Sequence, residues 1–182
     1  MPEVTDPWLR KLRSGERGAV EEFVRKHGEP LRRYLAVLLR SDADAEEIAQ
    51  EAFLRLFGAL ASFRGDCTLK TYLSRIAHNQ ALNHLASSPR VHEVFPEELP
   101  DSPSVEPSPQ ASACDSEQGA LLRKALAALP PQQRAVVALR TWQDLSFKEI
   151  AGVLSLAEGT AKAHYFFALR NLRKRLEAVH EA

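Results

Sequence analysis

Cysteine is scarce: the 182 residues hold two, Cys67 and Cys114. They stand far apart, outside any C-x-x-C or His/Cys cluster, so the pattern supports neither a disulfide framework nor a zinc site, and reads as reduced thiols. Long apolar runs are missing as well. No stretch approaches the roughly 20 apolar residues of a membrane span, and the opening "MPEVTDPWLRKLRSG" lacks the apolar core of a signal peptide. A cytoplasmic protein with no membrane insertion of its own is expected. No segment alternates between apolar and polar residues strictly enough for a strand. Gly-rich phosphate loops, nucleophile motifs and metal-ligand spacings are absent too. That removes the support for an enzyme and leaves no cofactor or metal to expect. Asp42, Asp44, Glu46 and Glu47 are clustered acids, but a helix N-terminus accounts for them.

Excess charge is also lacking, since the formal net charge is zero. By itself that argues against nucleic acid, but the average hides a pattern. Residues 1–86 carry a net +1, residues 87–119 a net −6 and residues 120–182 a net +5. The acidic stretch 88–118, "SPRVHEVFPEELPDSPSVEPSPQASACDSEQ", is dominated by Pro, Ser and acids and loses apolar periodicity. Such a segment cannot bury enough surface to offset its ordering entropy, so it reads as a flexible linker. Val91, Val94 and Phe95 leave part of it able to dock. The expected division is 1–87, a helical bundle; 88–118, the linker; and 119–182, a second helical domain.

What is present is helical periodicity. "DAEEIAQEAFLRLFGAL" opens on Asp44 with Glu47 three residues later, a capping-box-like start, and places Ile48, Ala52 and Leu56 on one face. "TLKTYLSRIAHNQALNHL" repeats apolar residues at Leu69, Tyr72, Leu73, Ile76 and Leu82. Upstream, "GAVEEFVRKHGEPLRRYLAVLLR" reads as two shorter helices broken near Gly28 and Pro30. Beyond the linker, "GALLRKALAALP" and "PQQRAVVALRTWQ" are helices, the second entered through Pro130 and Pro131. Two S-x-x-E starts follow, Ser146 with Glu149 and Ser155 with Glu158. They frame a short helix "FKEIAGVL", a turn and a longer basic helix, which is the helix-turn-helix layout whose second helix enters the DNA major groove. The predicted class is all-α: two small helical domains, an N-terminal bundle and a C-terminal helix-turn-helix domain, joined by the linker.

The last helix contains "AKAHYFFALRNLRKR". Successive side chains on a helix are turned by roughly 100°, so one face cannot bury Tyr165, Phe166 and Phe167 together. Ala161, Tyr165, Ala168, Leu172 and Leu176 form the core stripe. Phe166 and Phe167 therefore face outward with Lys162, Ala163, Arg170, Arg173 and Lys174, placed to meet thymine methyls or a protein partner. Against this stands the ordinary occurrence of exposed apolar residues.

"DAEEIAQEAFLRLF" followed by "FRGDCTLKTYLSRIAHNQALNHL" resembles conserved region two of the extracytoplasmic-function (ECF) sigma factors, small bacterial initiation subunits of RNA polymerase. "LPPQQRAVVALRTWQDLSFKEIAGVLSLAEGTAKAHYFFALRNLRKRL" resembles their region four. The resemblance spans about residues 15–86 and 120–176, in the family's order with a linker between. It implies binding to core RNA polymerase and to promoter DNA, transcription initiation, and an anti-sigma factor as regulator. The sequence ends soon after "LRKRL", leaving no room for a C-terminal sensory domain, so regulation from outside is expected.

The resemblance also implies site residues. Asp44, Glu47, Gln50, Glu51, Phe53 and Leu54 correspond to the helix that docks on core polymerase, although the acids alone equally describe a solvated helix face. Phe63, Arg64, Lys70, Tyr72, Arg75, Asn79 and Asn83 correspond to the element that opens minus-ten DNA. Opening requires an unstacked base to be captured and phosphates to be neutralised. Phe63 and Tyr72 are suited to stacking, the basic residues to phosphates, and Asn79 and Asn83 to base edges from one helix face. Tyr72 stands where the family usually carries Trp, and its place in the apolar stripe also reads as core. For the minus-thirty-five element the implied residues are Gly159, Thr160, Lys162, Ala163, Phe166, Phe167, Arg170 and Arg173. The first turn, with Glu158 as a capping acid, offers backbone N–H groups to a phosphate. Ala163, His164 and Phe167 depart from the family's small polar and Arg residues, so a typical minus-thirty-five sequence is not expected. His78 and His84 receive no role. Two other classes stay open at this point: a one-component regulator using only the helix-turn-helix, which would bind an operator unaided, and an enzyme.

Overall fold

A computed structural model describes residues 6–87 and 117–180, all-α with no strand among them. The helices are α1 (Pro7–Arg13), α2 (Ala19–Leu39), α3 (Asp42–Ala59), α4 (Leu69–Ser87), α5 (Glu117–Ala127), α6 (Pro131–Trp142), α7 (Phe147–Leu154) and α8 (Glu158–His180). Cys114 and the expected linker lie outside the described residues, except that α5 opens at Glu117.

Local signals account for most boundaries. Asp6 caps α1, its carboxylate accepting from the Trp8 N–H at 2.8 Å, and Pro7 takes the first helical position. Pro130 and Pro131 open α6 as expected. Ser146 and Glu149 close a full capping box on α7. Three expectations need correction. The cap of α3 is Ser41, whose hydroxyl accepts from the Asp44 N–H at 3.2 Å, so the helix starts upstream of Asp44. Ser155 does not cap α8. It ends α7 in the left-handed conformation, φ 56°, and the Leu156 N–H closes the turn on the Ala151 carbonyl.

The third correction is α2, one continuous helix through Gly28 and Pro30. An interior proline costs roughly 3 kcal/mol. Against that, α2 buries Phe23, Leu31, Tyr34, Leu35, Leu38 and Leu39, and each large apolar side chain buried is worth about 1.5–3 kcal/mol. Packing outweighs the break because α2 is the central helix, in contact with α1, α3, α4, α5 and α6.

The two halves pack on each other. α2 lies against α6 and α4 against α7, and one apolar core runs from Phe23 and Tyr34 through Leu73 to Leu139 and Ile150. A smaller core of Leu126, Leu129, Val137, Ala168 and Leu172 is met by Val37 from α2. Polar contacts cross the same boundary. Thr71 Oγ1 donates to Glu149 Oε1 at 2.8 Å, Ser74 Oγ to Gln143 Oε1 at 3.4 Å, and Arg40 Nη2 to the Ala127 carbonyl at 2.7 Å.

Candidate nucleic-acid interface

The loop between α3 and α4 and the outward face of α4 form the first surface. Phe63 and Tyr72 lie ring to ring, centroids 4.7 Å apart, and the Arg75 guanidinium sits 5.3 Å from the Tyr72 centroid. With Arg64, Asp66 and Cys67 they line an open cleft of about 330 Å³. Two half-buried rings beside two exposed arginines suit an unstacked base and its phosphate. Tyr72 is thus neither full core nor free surface; Asp66 and Cys67, which no sequence motif marks, complete the wall. Burial, only partly offset by Arg75, holds the Cys67 thiol above its ordinary pKa, which keeps it protonated and unreactive. Arg75, Asn79 and Asn83 follow at helical spacing and are all exposed, so they extend the surface along α4. Lys70 does not join them. Its ammonium points across the interdomain boundary, 3.4 Å from the Asp144 carbonyl.

A second cleft, about 270 Å³, lies between α2 and α3 and is lined by Val24, Glu29, Arg32, Gln50 and Phe53 among others. Glu29 accepts from both Arg32 and Arg33, and these bonds pull its pKa down to about 2. Of the six residues for which the resemblance implies polymerase docking, Leu54 is 72% exposed and Glu47, Gln50 and Glu51 are exposed as well. Gln50 bonds Glu46 at 2.9 Å and Glu51 pairs with Arg55. Asp44 is half-buried, its carboxylate 3.5 Å from His84 Nε2. Phe53 is placed differently from its neighbours: it is 7% exposed and packs against Phe23 and Phe57, offering the cleft only an edge.

The third surface is α8. Gly159, Thr160, Lys162, Ala163, Phe166, Phe167, Arg170 and Arg173 are all exposed, while Ala161, Ala168 and Leu172 are buried as the helical wheel predicts. Tyr165 is half-buried, its ring edge-on to Phe147 at 5.4 Å. Phe166 is 64% exposed and Phe167 46%, and the exposed Leu169 adds a third apolar side chain to this stretch of α8. Around it, Lys162 pairs with Glu158 at 2.6 Å and Arg173 with Glu177 at 2.7 Å. Such exposed pairs are worth at most about 1 kcal/mol, so both cations remain available to a phosphate.

Tyr34 Oη and His78 Nδ1 share a 2.7 Å hydrogen bond inside the core. The described residues contain no group of acids, histidines and cysteines able to hold a metal ion, and no described helix is long and apolar enough to cross a membrane.

Comparison with known proteins places the chain in a family. Residues 23–91 match the family described as Sigma-70 region 2, and residues 120–172 the family described as Sigma-70, region 4. The RNA polymerase sigma-E factor of Streptomyces avermitilis is 34% identical over 164 residues, covering 90% of this chain and 88% of that protein. The ECF RNA polymerase sigma factor SigE of Mycolicibacterium smegmatis is 32% identical over 154 residues, 84% of this chain, which spans 60% of that protein's length. Among solved structures, the sigma factor RpoE of Bartonella quintana, crystallised with the anti-sigma factor NepR, is 21% identical with a TM-score of 0.67. The match covers 88% of this chain and 98% of that one, and shows a common fold.

Proposed function

Since the chain belongs to the ECF sigma factors of RNA polymerase, we propose that it binds core polymerase, directs it to specific promoters and helps open the minus-ten element. The first half, residues 1–87, holds the polymerase-docking helix and the minus-ten cleft, and residues 119–182 hold the minus-thirty-five reader. The intervening 88–118 tethers them. The protein acts in the cytoplasm as a transcription factor rather than a catalyst, under the control of an anti-sigma partner.

The observation that carries the proposal is the Phe63–Tyr72–Arg75 cleft, with Asn79 and Asn83 exposed further along the same helix. A stacking platform next to cations and base-edge donors is what capture of a melted strand needs. Docking on polymerase falls to the exposed Glu47, Gln50, Glu51 and Leu54 of α3, with Gln50 and Phe53 also lining the α2–α3 cleft and Asp44 beside His84 of α4. On α8, Phe166 and Phe167 read thymine methyls while Arg170 and Arg173 position the helix on phosphates.

The test is run-off transcription from a promoter library by core polymerase with and without the protein. Promoter-specific transcripts are expected only with it, while the isolated chain binds duplex DNA weakly. Tight, sequence-specific binding by the isolated chain would instead identify a one-component regulator.

A further inference from the structure

α1 lies outside the matched residues 23–91, yet it reaches the cleft wall at three points. Arg13 donates from Nε to the Leu60 carbonyl at 3.1 Å and from Nη2 to the Phe63 carbonyl. One guanidinium therefore spans the start of the loop. Gly65, at φ 80° and buried, faces Leu9, whose Cδ2 lies 3.8 Å from where a Cβ would stand. At the far end Asp6, 7% exposed, divides its carboxylate. One oxygen caps α1 and the other accepts from the N–H of Leu69, the first residue of α4, at 2.5 Å. The wall residues Phe63, Arg64, Asp66 and Cys67 hang between these anchors.

α1 is itself held. Trp8 packs edge-on against Phe23 at 5.4 Å, and Lys11 pairs with Glu22 of α2 at 3.8 Å. A planar fork bonded to two carbonyls, and a buried carboxylate shared by two helix starts, are directional contacts that fix a loop's shape.

On the basis of these contacts, and resting on the function proposed above, we propose that Arg13 and Asp6 are positioning residues that set which unstacked base the Phe63–Tyr72 cleft accepts. A purely stabilising role would lower folding stability and reduce every promoter alike. A positioning role changes the ratio between promoters.

The test uses the full chain with core polymerase, on promoters differing at one base of the minus-ten element. Arg13→Ala, Arg13→Lys and Asp6→Asn are compared with wild type for transcript ratio, core binding and thermal unfolding. Arg13→Ala should reduce the ratio between best and worst base by about tenfold, since a misplacement of about 1 Å between stacking rings and a bound base is costly. Core binding should be unchanged. Arg13→Lys keeps the charge but not the fork and should restore little, which separates geometry from electrostatics and serves where the alanine variant folds poorly. Asp6→Asn, retaining one acceptor, should fall between. Ratios equal to wild type in folded Arg13→Lys and Asp6→Asn overturn the inference alone. A wild-type protein with no base preference at the minus-ten element overturns the proposed function on which it rests.

Discussion

Phe53 and Leu54 are neighbours on α3 with opposite surroundings, 7% and 72% exposed. Phe53→Ala should cost about 3–5 kcal/mol, the range for an aromatic truncated in a core, and any loss of polymerase binding would then follow from unfolding. Leu54→Ala with Gln50→Ala should stay within about 0.5 kcal/mol of wild type and still abolish co-purification with core polymerase. Retained co-purification would move docking elsewhere. The aromatic run of α8 divides the same way. Tyr165→Ala, removing the ring on Phe147, should cost about 3 kcal/mol, at the low end of the range for core aromatics because the ring is half-buried. Phe166→Ala and Phe167→Ala should leave urea midpoints unchanged and alter promoter preference. Midpoints that fall in both would mean that these rings are core.

At the scale of the element, α2 tolerates an internal proline because its neighbours hold it on several sides. The missing N–H and the ring's clash with the preceding turn remain as an unrelieved cost. Pro30→Ala should therefore raise stability by as much as about 3 kcal/mol, read as a higher urea midpoint at unchanged slope. A fall in stability would show that the proline ring, half-buried in α2, contributes more by packing than it removes.

For the whole molecule, the packing of the two halves has an electrostatic cost. Arg134 of α6 is 3% exposed, and its Nε and Nη1 find no hydrogen-bond partner among the described residues. Burial, with Arg40 nearby, lowers its pKa to about 10, still charged at neutral pH. Each unsatisfied buried polar group costs about 1–3 kcal/mol, so Arg134→Met should stabilise the folded chain by at least that amount. Unchanged or lower thermal stability would mean that the charge has a counterpart. His27 and His78 make a pH prediction. Burial lowers both from 6.5 to about 4, so between those values the unfolded chain binds protons that the folded chain refuses. Their contribution is complete above pH 6.5 and is lost as pH falls through 4, at about 3 kcal/mol per ring. Denaturant titrations at pH 7.5, 5.5 and 4, chosen to bracket that window, should show falling stability; a flat profile would contradict it.

Sequence alone was enough for every feature resting on contacts within one or two helical turns. These are the all-α class, the Ser146–Glu149 box, the Pro130–Pro131 entry into α6, and the α8 stripe that turns Phe166 and Phe167 outward. Each depends on residues three or four apart, whose geometry the helix itself supplies. Tertiary structure decided what depends on partners distant in the chain. The side chains of Phe53 and Leu54 are both apolar, and Phe23 of α2 shows which is buried. α2 reads as broken until its neighbours are present. That the Lys70 ammonium lies against the Asp144 carbonyl, 74 residues away, no local pattern records. α1 carried a local signal in Asp6 and Pro7, but its contact with the cleft wall runs through Arg13 to Leu60 and Phe63, about fifty residues away. Such contacts form only when the chain closes on itself, and no local period records them.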